Sequence, residues 1–517
     1  MKTESFLLKG DLCYSKDSTH LETVANGVLV CLEGRCAGVF PRVPEQYQGL
    51  PRYDFSGRLV VPGLVDLHVH APQYAYRGLG MDMELLDWLN TNAFPEEAKF
   101  ADLDYAQRAY SLFVEDLRRG ATTRAAVFAT LHGPATRVLM ELLEASGLCA
   151  FVGKVNMDRN SPDILREKSA EASARATVEW LEQTAGKYRR VKPILTPRFI
   201  PSCSDELMER LAGIQRTFGL PVQSHLSENQ GEVEWVRELC PSASCYGDAY
   251  ASFGLFGGGV PTIMAHCVLS GEEEIAMLRE RGVWVAHCPA SNTNIASGIA
   301  PVRRFLDEGL RVGLGSDVAG GHSTSLFRAM ADAIQVSKLR WRLQDQSLKP
   351  LTVEEAFWLG TAGGGAFFGP VGSFLPGCEL EQLAAVLGHQ LLVGGYHALA
   401  RAQGPPGKVQ RHARAADGLH HDIHLGVVLD GSEVVDDLIA ERVVREIPHI
   451  QDIFQPHRGL HLLVDVGAVF GQHLRHTGAH GSKPQDRYAH HLFHLVVCII
   501  VPPGSRTAGL PSAGKSG

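Results

Sequence analysis

A (β/α)8 barrel, an α/β fold, is predicted by three features of the 517-residue sequence. Eight short apolar runs read as strands, several of them ending in His or Asp; most gaps between them carry helical periodicity; and no G-x-G-x-x-G loop follows an early strand, as a doubly wound sheet would require. The runs are residues 59–67, 121–129, 149–155, 191–197, 220–225, 262–266, 283–287 and 311–317. Alternating strands and helices imply a parallel sheet, and eight repeats over roughly 310 residues suit a barrel with insertions. Among the helices, Tyr105, Ala109, Leu112 and Phe113 recur at helical spacing until Gly120. Ser270-Gly271-Glu272-Glu273 reads as a capping box ahead of Ile275 and Leu278.

The first run ends in His68-Val69-His70. Residues i and i+2 of a strand face the same side, so both imidazoles can reach one metal ion. Pro62-Gly63 turns the chain into this strand and Ala71-Pro72 stops it. Alone, the pattern reads equally well as an ordinary strand-end pair. Three later runs supply partners: Leu220 to His225, Thr262 to His266 and Arg311 to Asp317 each place a polar residue where a barrel strand reaches its C-terminal rim. Asp317 by itself could start a turn, and Glu228 could be a helix N-terminal acid. The joint order of His68, His70, His225, His266 and Asp317 at strand ends overrules the ordinary reading for those five. His132, His287 and His322 lack such company and are expected to be satisfied polar residues.

The segments PGLVDLHVH, SHLSEN, MAH, AHCPASN and GLGSDVAGG occur in that order, with HVHAPQY, LLDWLNTNAFPEE, FVGKVNMDRN and KPILTPRF between them. From about residue 5 to residue 377 the chain resembles the amidohydrolase superfamily, its purine and pyrimidine deaminase branch, and the guanine deaminase family in particular. The resemblance implies hydrolytic deamination of guanine to xanthine and ammonia. Another deaminase or a triazine-type hydrolase of the same branch is the alternative, and a catalytically dead barrel kept as an interaction scaffold is a reading from a different class.

Three imidazoles (His68, His70, His225) and the Asp317 carboxylate make a nitrogen-and-oxygen site without thiolate, suited to one Zn²⁺ or, less well, Fe²⁺. Such a metal brings a bound water to a pKa of about 7. Glu228 lies three residues beyond His225, one turn away if the chain becomes helical, and is placed to carry a proton to the leaving amine. His266 either binds metal, making the site binuclear, or hydrogen-bonds the attacking water. The binuclear relatives also use a carboxylated lysine from the fourth strand. Lys154 ends the third by this count, so one metal is expected. Gln73 offers a donor and an acceptor to a heterocycle edge, Arg198 suits a carbonyl oxygen, and Phe199 either covers a base face or plugs the rim. By resemblance Gln73, Arg198 and Phe199 match guanine-contacting positions, with His225 also on the substrate side.

A net charge of −8 and a pI near 6.3 leave no electrostatic footprint for nucleic acid or an anionic membrane, so the partner is expected to be a small molecule, which the resemblance implies is a free purine base. Met1 to Gly10 lacks a signal peptide's apolar segment, and no run reaches the ~18 apolar residues of a span. Eleven cysteines without a CxxC pair read as reduced thiols of a cytoplasmic protein. The resemblance implies a homodimer.

Residues 1–62 read as part of a β-sandwich, 63–371 as the barrel, and 372–377 as the start of the chain's return to the sandwich. From Cys378 the match ceases. Fifteen of the 23 histidines fall in 378–517 without ligand spacing, and no tryptophan does, so this His-rich tail reads as a different reading frame or a mispredicted exon. The sandwich is then expected to lack its second half, with an edge strand left unpaired.

Overall fold

Each predicted run carries a strand, but the first divides between two sheets. In the computed structural model, which describes residues 5–380, 382–386 and 390–394, β1 (Phe6–Ser15), β2 (Leu21–Leu32), β3 (Arg35–Phe40) and β4 (Arg52–Pro62) belong to one sheet, and β5 (Leu64–His70) begins another. Gly63 stands at the change. A Cβ there would lie 2.1 Å from Thr123 Oγ1, so only glycine lets the chain pass so close to the neighbouring strand.

Ten strands carry the eight parallel runs: β5, β6 (Thr122–Phe128), β7 (Cys149–Gly153), β8 (Val155–Asn156), β9 (Val191–Pro193), β10 (Thr196–Pro197), β11 (Val222–Leu226), β12 (Thr262–His266), β13 (Trp284–His287) and β14 (Arg311–Leu314). β5-β6-β7-β9 and β11-β12-β13-β14 form two parallel four-stranded sheets, and β8 pairs with β10. Backbone bonds link the two sheets at both sides. Leu195 N–H donates to Pro221 O at 2.9 Å and Gln223 N–H to Leu195 O at 2.9 Å; Asp317 N–H donates to His68 O at 2.8 Å and His70 N–H to Val318 O at 3.1 Å. Val65, Leu67, Ala126, Ile194, Ile263, Ala265 and Ala286 make one buried apolar cluster shared by strands of both sheets. The β5–β6 register shifts between Asp66 and Val69, and this bulge re-aims the strand just before His70.

Helices fill the gaps, with two differences from expectation. The helix Leu103–Arg119 stops at Gly120 as predicted, but it buries Ala106, Tyr110, Phe113, Val114 and Leu117 while Leu112 is exposed. Tyr105 stands beside that face, part-buried, with its hydroxyl donating to the buried Glu96 carboxylate. No capping box forms at Ser270: its hydroxyl donates to the buried Glu274 carboxylate, and Gly271 is the N-cap of Glu272–Arg281 without a side-chain bond. Capping boxes form instead at Asn229/Glu232 and Thr352/Glu355.

The sandwich expectation needs correction. The return does not stop at Gly377: Cys36 N–H donates to Cys378 O, Leu380 N–H to Gly34 O, and Arg35 pairs with Glu379, while Phe374 and Leu380 pack into the core of Phe6, Leu8, Leu12, Tyr14 and Leu29. β15 (Gln382–Val386) and β16 (Gln390–Gly394) then extend the sheet in the order β16-β15-β4-β1-β2-β3, so two strands from beyond Cys378 pair alongside β4. Backbone pairing asks little of side-chain identity, which is why a compositionally foreign segment can still supply it. The remaining histidines of the tail, His420-His421 and His490-His491 among them, lie outside the described residues.

Candidate active site

β5 delivers His68 and His70, β11 His225, β12 His266, and the turn after β14 Asp317. All five are buried. His68 Nε2 lies 3.1 Å from Asp317 Oδ1, His70 Nε2 3.4 Å from the same oxygen, and His266 Nε2 3.7 Å from Oδ2. His70 Nε2 and His225 Nε2 face one another at 3.2 Å. A turn this close to β5 requires Gly315, where a Cβ would stand 2.7 Å from Cys288 Sγ and 2.9 Å from His68 Cβ.

The ring nitrogens left over point to a metal. His225 Nδ1–H donates to Arg198 O at 2.6 Å and His266 Nδ1–H to Asn292 Oδ1 at 2.9 Å, so each ring turns an Nε2 lone pair inward. His68 Nε2 and His266 Nε2 are buried without a hydrogen-bond partner. Burial, reinforced by the neighbouring histidines, holds His70 and His225 well below the usual imidazole range. Burial also takes His266 down to about 4, with His68 adding to it and Asp317 and Asn292 opposing. These rings are therefore neutral at pH 7, the state in which an imidazole can bind a metal. Burial would raise Asp317, but the interaction with His68, a hydrogen bond included, and with His266 and His70 outweighs it and holds the carboxyl well below its usual range. His68, His70 and Asp317 place ligand atoms within 4.8 Å of one another, as do His68, His225 and His266. An anionic oxygen among neutral nitrogens fits Zn²⁺. Lys154 is not available to bridge a second ion, because its amine donates to Glu167 at 2.6 Å and to Val155 O at 3.1 Å.

Glu228 enters by a different route from the one expected. The chain is not helical between it and His225; Ser227 takes a left-handed φ of 47°, and Glu228 precedes the Asn229 N-cap of the helix Gln230–Leu239. This turn sets Glu228 Oε2 3.4 Å from His266 Nε2. Burial pushes the carboxyl well above its usual range, the charges of Asp317 and Glu232 push it further, and Arg198 opposes them. A carboxyl whose pKa is raised in this way is suited to hold and give up a proton.

Gln73, Arg198 and Phe199 line one cavity with His70, His225, Glu228, His266 and Asp317, about 380 Å³ of atom-free space. Its apolar wall comes from Leu85, Trp88, Leu89 and Ile295. Sequence reasoning missed four buried residues that hold this set. Glu97 accepts two hydrogen bonds from Arg198 and one from Gln73. Asp66 accepts from the His68 and Ser316 amides and the Ser316 hydroxyl, and burial raises it to about 6. Asn292 orients His266. Glu232 accepts from Glu228 N–H at 3.0 Å and Tyr246 hydroxyl at 2.7 Å. Only Asp66, a carboxylate inside an apolar strand, left a signal that local pattern could have found.

The three histidines set aside stay outside this cluster. His322 is exposed beside Asn294. His132 and His287 differ from the expectation of satisfied side chains: His132 Nε2 and both ring nitrogens of His287 are buried without partners, and burial with His266 nearby takes His287 down to about 3. A neutral imidazole tolerates that burial where a charged one would not.

Residues 59–379 match the model of the amidohydrolase family. The chain is 40% identical to the guanine deaminase of Dictyostelium discoideum over 332 residues, 63% of this chain and 73% of that one. It is also 40% identical to the guanine deaminase of Mus musculus over 344 residues, 66% and 74% of the two chains. The crystal structure of guanine deaminase from C. acetobutylicum with bound guanine superposes with a TM-score of 0.72 at 45% identity, covering 74% of this chain and 91% of that one. With the family match spanning most of the chain and every strand that supplies a donor, this protein belongs to the amidohydrolase family.

Proposed function

We propose that the protein is a zinc-dependent guanine aminohydrolase, converting guanine and water to xanthine and ammonia on eight strands closed into a (β/α)8 barrel, with the β1–β4 sheet as an appended sandwich. One observation carries the reading: a single cavity is lined by the buried Glu228 carboxyl beside His266, by the candidate metal donors His70, His225 and Asp317 with His68 directly behind them, and by the Arg198–Gln73 pair. That the C. acetobutylicum relative binds guanine supports the choice of substrate.

His68, His70, His225 and Asp317 would hold the metal, and zinc there would supply a Lewis acid able to activate a water at neutral pH. Glu228 carries a proton from Oε2 to the departing amine nitrogen. His266, fixed through its Nδ1–H by Asn292, keeps Nε2 facing Glu228 and Asp317 and orients the attacking water. Arg198 donates to the base carbonyl, Gln73 reads the heterocycle edge, and Phe199 covers a ring face; the apolar wall excludes competing water. The buried Lys154–Glu167 pair supports one metal per chain. We place the enzyme in the cytosol as a homodimer: the ten described cysteines are free thiols, as in a reducing compartment, and the assembly follows the family resemblance. Among the described residues no helix is long and apolar enough to cross a membrane.

Incubation of the zinc-loaded protein with guanine, followed by xanthine absorbance, tests this. A site built to meet a carbonyl discriminates against an amine there by 10⁴-fold or more, an order-of-magnitude expectation, so adenine should be ignored. No turnover of guanine, or equal rates on both bases, would overturn the reading.

A further inference from the structure

We propose that Glu97 is a specificity-determining positioning residue, because one buried carboxylate holds both side chains placed to read the substrate edge. The proposal rests on the guanine reading above and deepens it. Glu97 is 1% exposed. Its Oε2 accepts from Arg198 Nη1 at 2.7 Å; its Oε1 accepts from Arg198 Nη2 at 3.0 Å and from Gln73 Nε2 at 2.8 Å.

The consequence for Gln73 is chemical. The two ends of an amide are nearly alike in shape, so a free glutamine can turn over and exchange its donor for its acceptor. Here it cannot. Glu97 only accepts and the Ala319 N–H, 3.2 Å from Gln73 Oε1, only donates, so the nitrogen must face Glu97 and the oxygen Ala319. One N–H and one lone pair remain for the ligand, in a single sense. A base edge presenting the reverse order meets donor against donor.

Arg198 is fixed by the same group. The two-point contact sets the plane of the guanidinium, and the Phe94 ring covers it at 5.0 Å. Its remaining N–H groups stay available to a carbonyl oxygen. Glu97 also neutralises the cation, so the cavity presents directed donors without a net positive charge and suits a neutral base over an anion. Phe94 and Glu97 come from one short helix, Phe94–Ala98, entered through the π-helical turn Leu89–Ala93. Pro95, lacking an N–H, leaves a carbonyl of the preceding turn without its usual donor, and the local ladder widens. Leu89 of that turn and Leu85 and Trp88 of the short helix before it line the cavity wall.

Two substitutions test the assignment. Glu97→Gln can donate as well as accept, which removes one of the two groups that fix the sense of the Gln73 amide and leaves only the Ala319 N–H to hold it. Glu97→Asp keeps the charge but withdraws it by one methylene. In the zinc-loaded enzyme, Glu97→Gln should raise KM for guanine and Kd for xanthine, read by quenching of cavity tryptophan fluorescence, by about 10-fold or more. The kcat should stay within about threefold and zinc at wild-type stoichiometry. Glu97→Asp should restore part of the KM, and the effect of Gln73→Leu should be smaller in the Glu97→Asp background than in wild type. Should Glu97→Gln fail to fold, the Asp variant and this cycle decide alone. Unchanged KM and xanthine Kd, strict additivity with Gln73→Leu, or a loss of active fraction at constant KM would overturn the proposal while leaving guanine turnover by the wild type intact. A wild-type enzyme that does not act on guanine would remove both.

Discussion

Glu228 illustrates how a single side chain acquires a chemical role from its surroundings. A carboxyl in water is ionised at neutral pH and has no proton to give; burial and the nearby charges of Asp317 and Glu232 push Glu228 well above that usual range. Glu228→Gln keeps the volume and the hydrogen-bonding capacity but removes the transferable proton. Zinc content should therefore hold while kcat for guanine falls by at least ~10²-fold, the usual scale of general acid–base catalysis. Metal analysis beside steady-state kinetics checks this, and near-normal turnover would reject the proton-carrying role. The residue type and position of Glu228 were legible in the sequence, but its route into the site was not. The left-handed Ser227 and the Asn229–Glu232 capping box, not a helical turn from His225, aim it at His266.

At the scale of elements, the seam between β5 and the turn after β14 decides whether the metal donors meet. Gly315→Ala puts a methyl group into contact with Cys288 Sγ and His68 Cβ. Overpacking of that kind costs about 1–3 kcal/mol, and because His68 must yield, zinc affinity should fall with the melting temperature. A lowered melting temperature with unaltered zinc affinity would mean that the seam does not set the donor geometry. The sheet of β1–β4 offers an independent check, since Leu380 lies in its apolar core past the point where the sequence pattern stops. Leu380→Ala should destabilise by roughly 2–4 kcal/mol in denaturant unfolding. A cost below ~0.5 kcal/mol, the scale of exposed substitutions, would show that the return segment ends earlier.

For the whole molecule, the metal couples the donor-bearing strands to one another. The proposed donors His68 and His70 come from one parallel sheet and His225 from the other, so an ion bound by them would favour only the folded arrangement. Ligand present at about 1,000 times its Kd stabilises by about 4 kcal/mol. Dialysis against a chelator should accordingly lower the melting temperature by at least ~5 °C, and added zinc should restore it. A melting curve indifferent to chelation would argue against a closed metal centre. The Ser316 hydroxyl bonded to Asp66 and the Glu97–Arg198 pair join residues 250 and 101 positions apart, which gives the site the same long-range character as the strands that carry it.

What the sequence determined by itself was the order of strands and the side chains at their ends, because apolar runs, turn residues and strand-end His and Asp are local patterns read over a few neighbouring residues. It also carried the family resemblance, through several segments kept in one order. Tertiary structure alone decided which partner each of those side chains has: Glu97 for Arg198 and Gln73, Asp66 for Ser316, Asn292 for His266, Glu232 for the Glu228 turn. It likewise set which residues of the helix Leu103–Arg119 are buried and carried the return segment on to Leu380. The physical reason is common to all of these. A buried hydrogen bond is selected by which groups packing brings within about 3 Å, and that approach is made by residues far apart in the chain, where local periodicity holds no information.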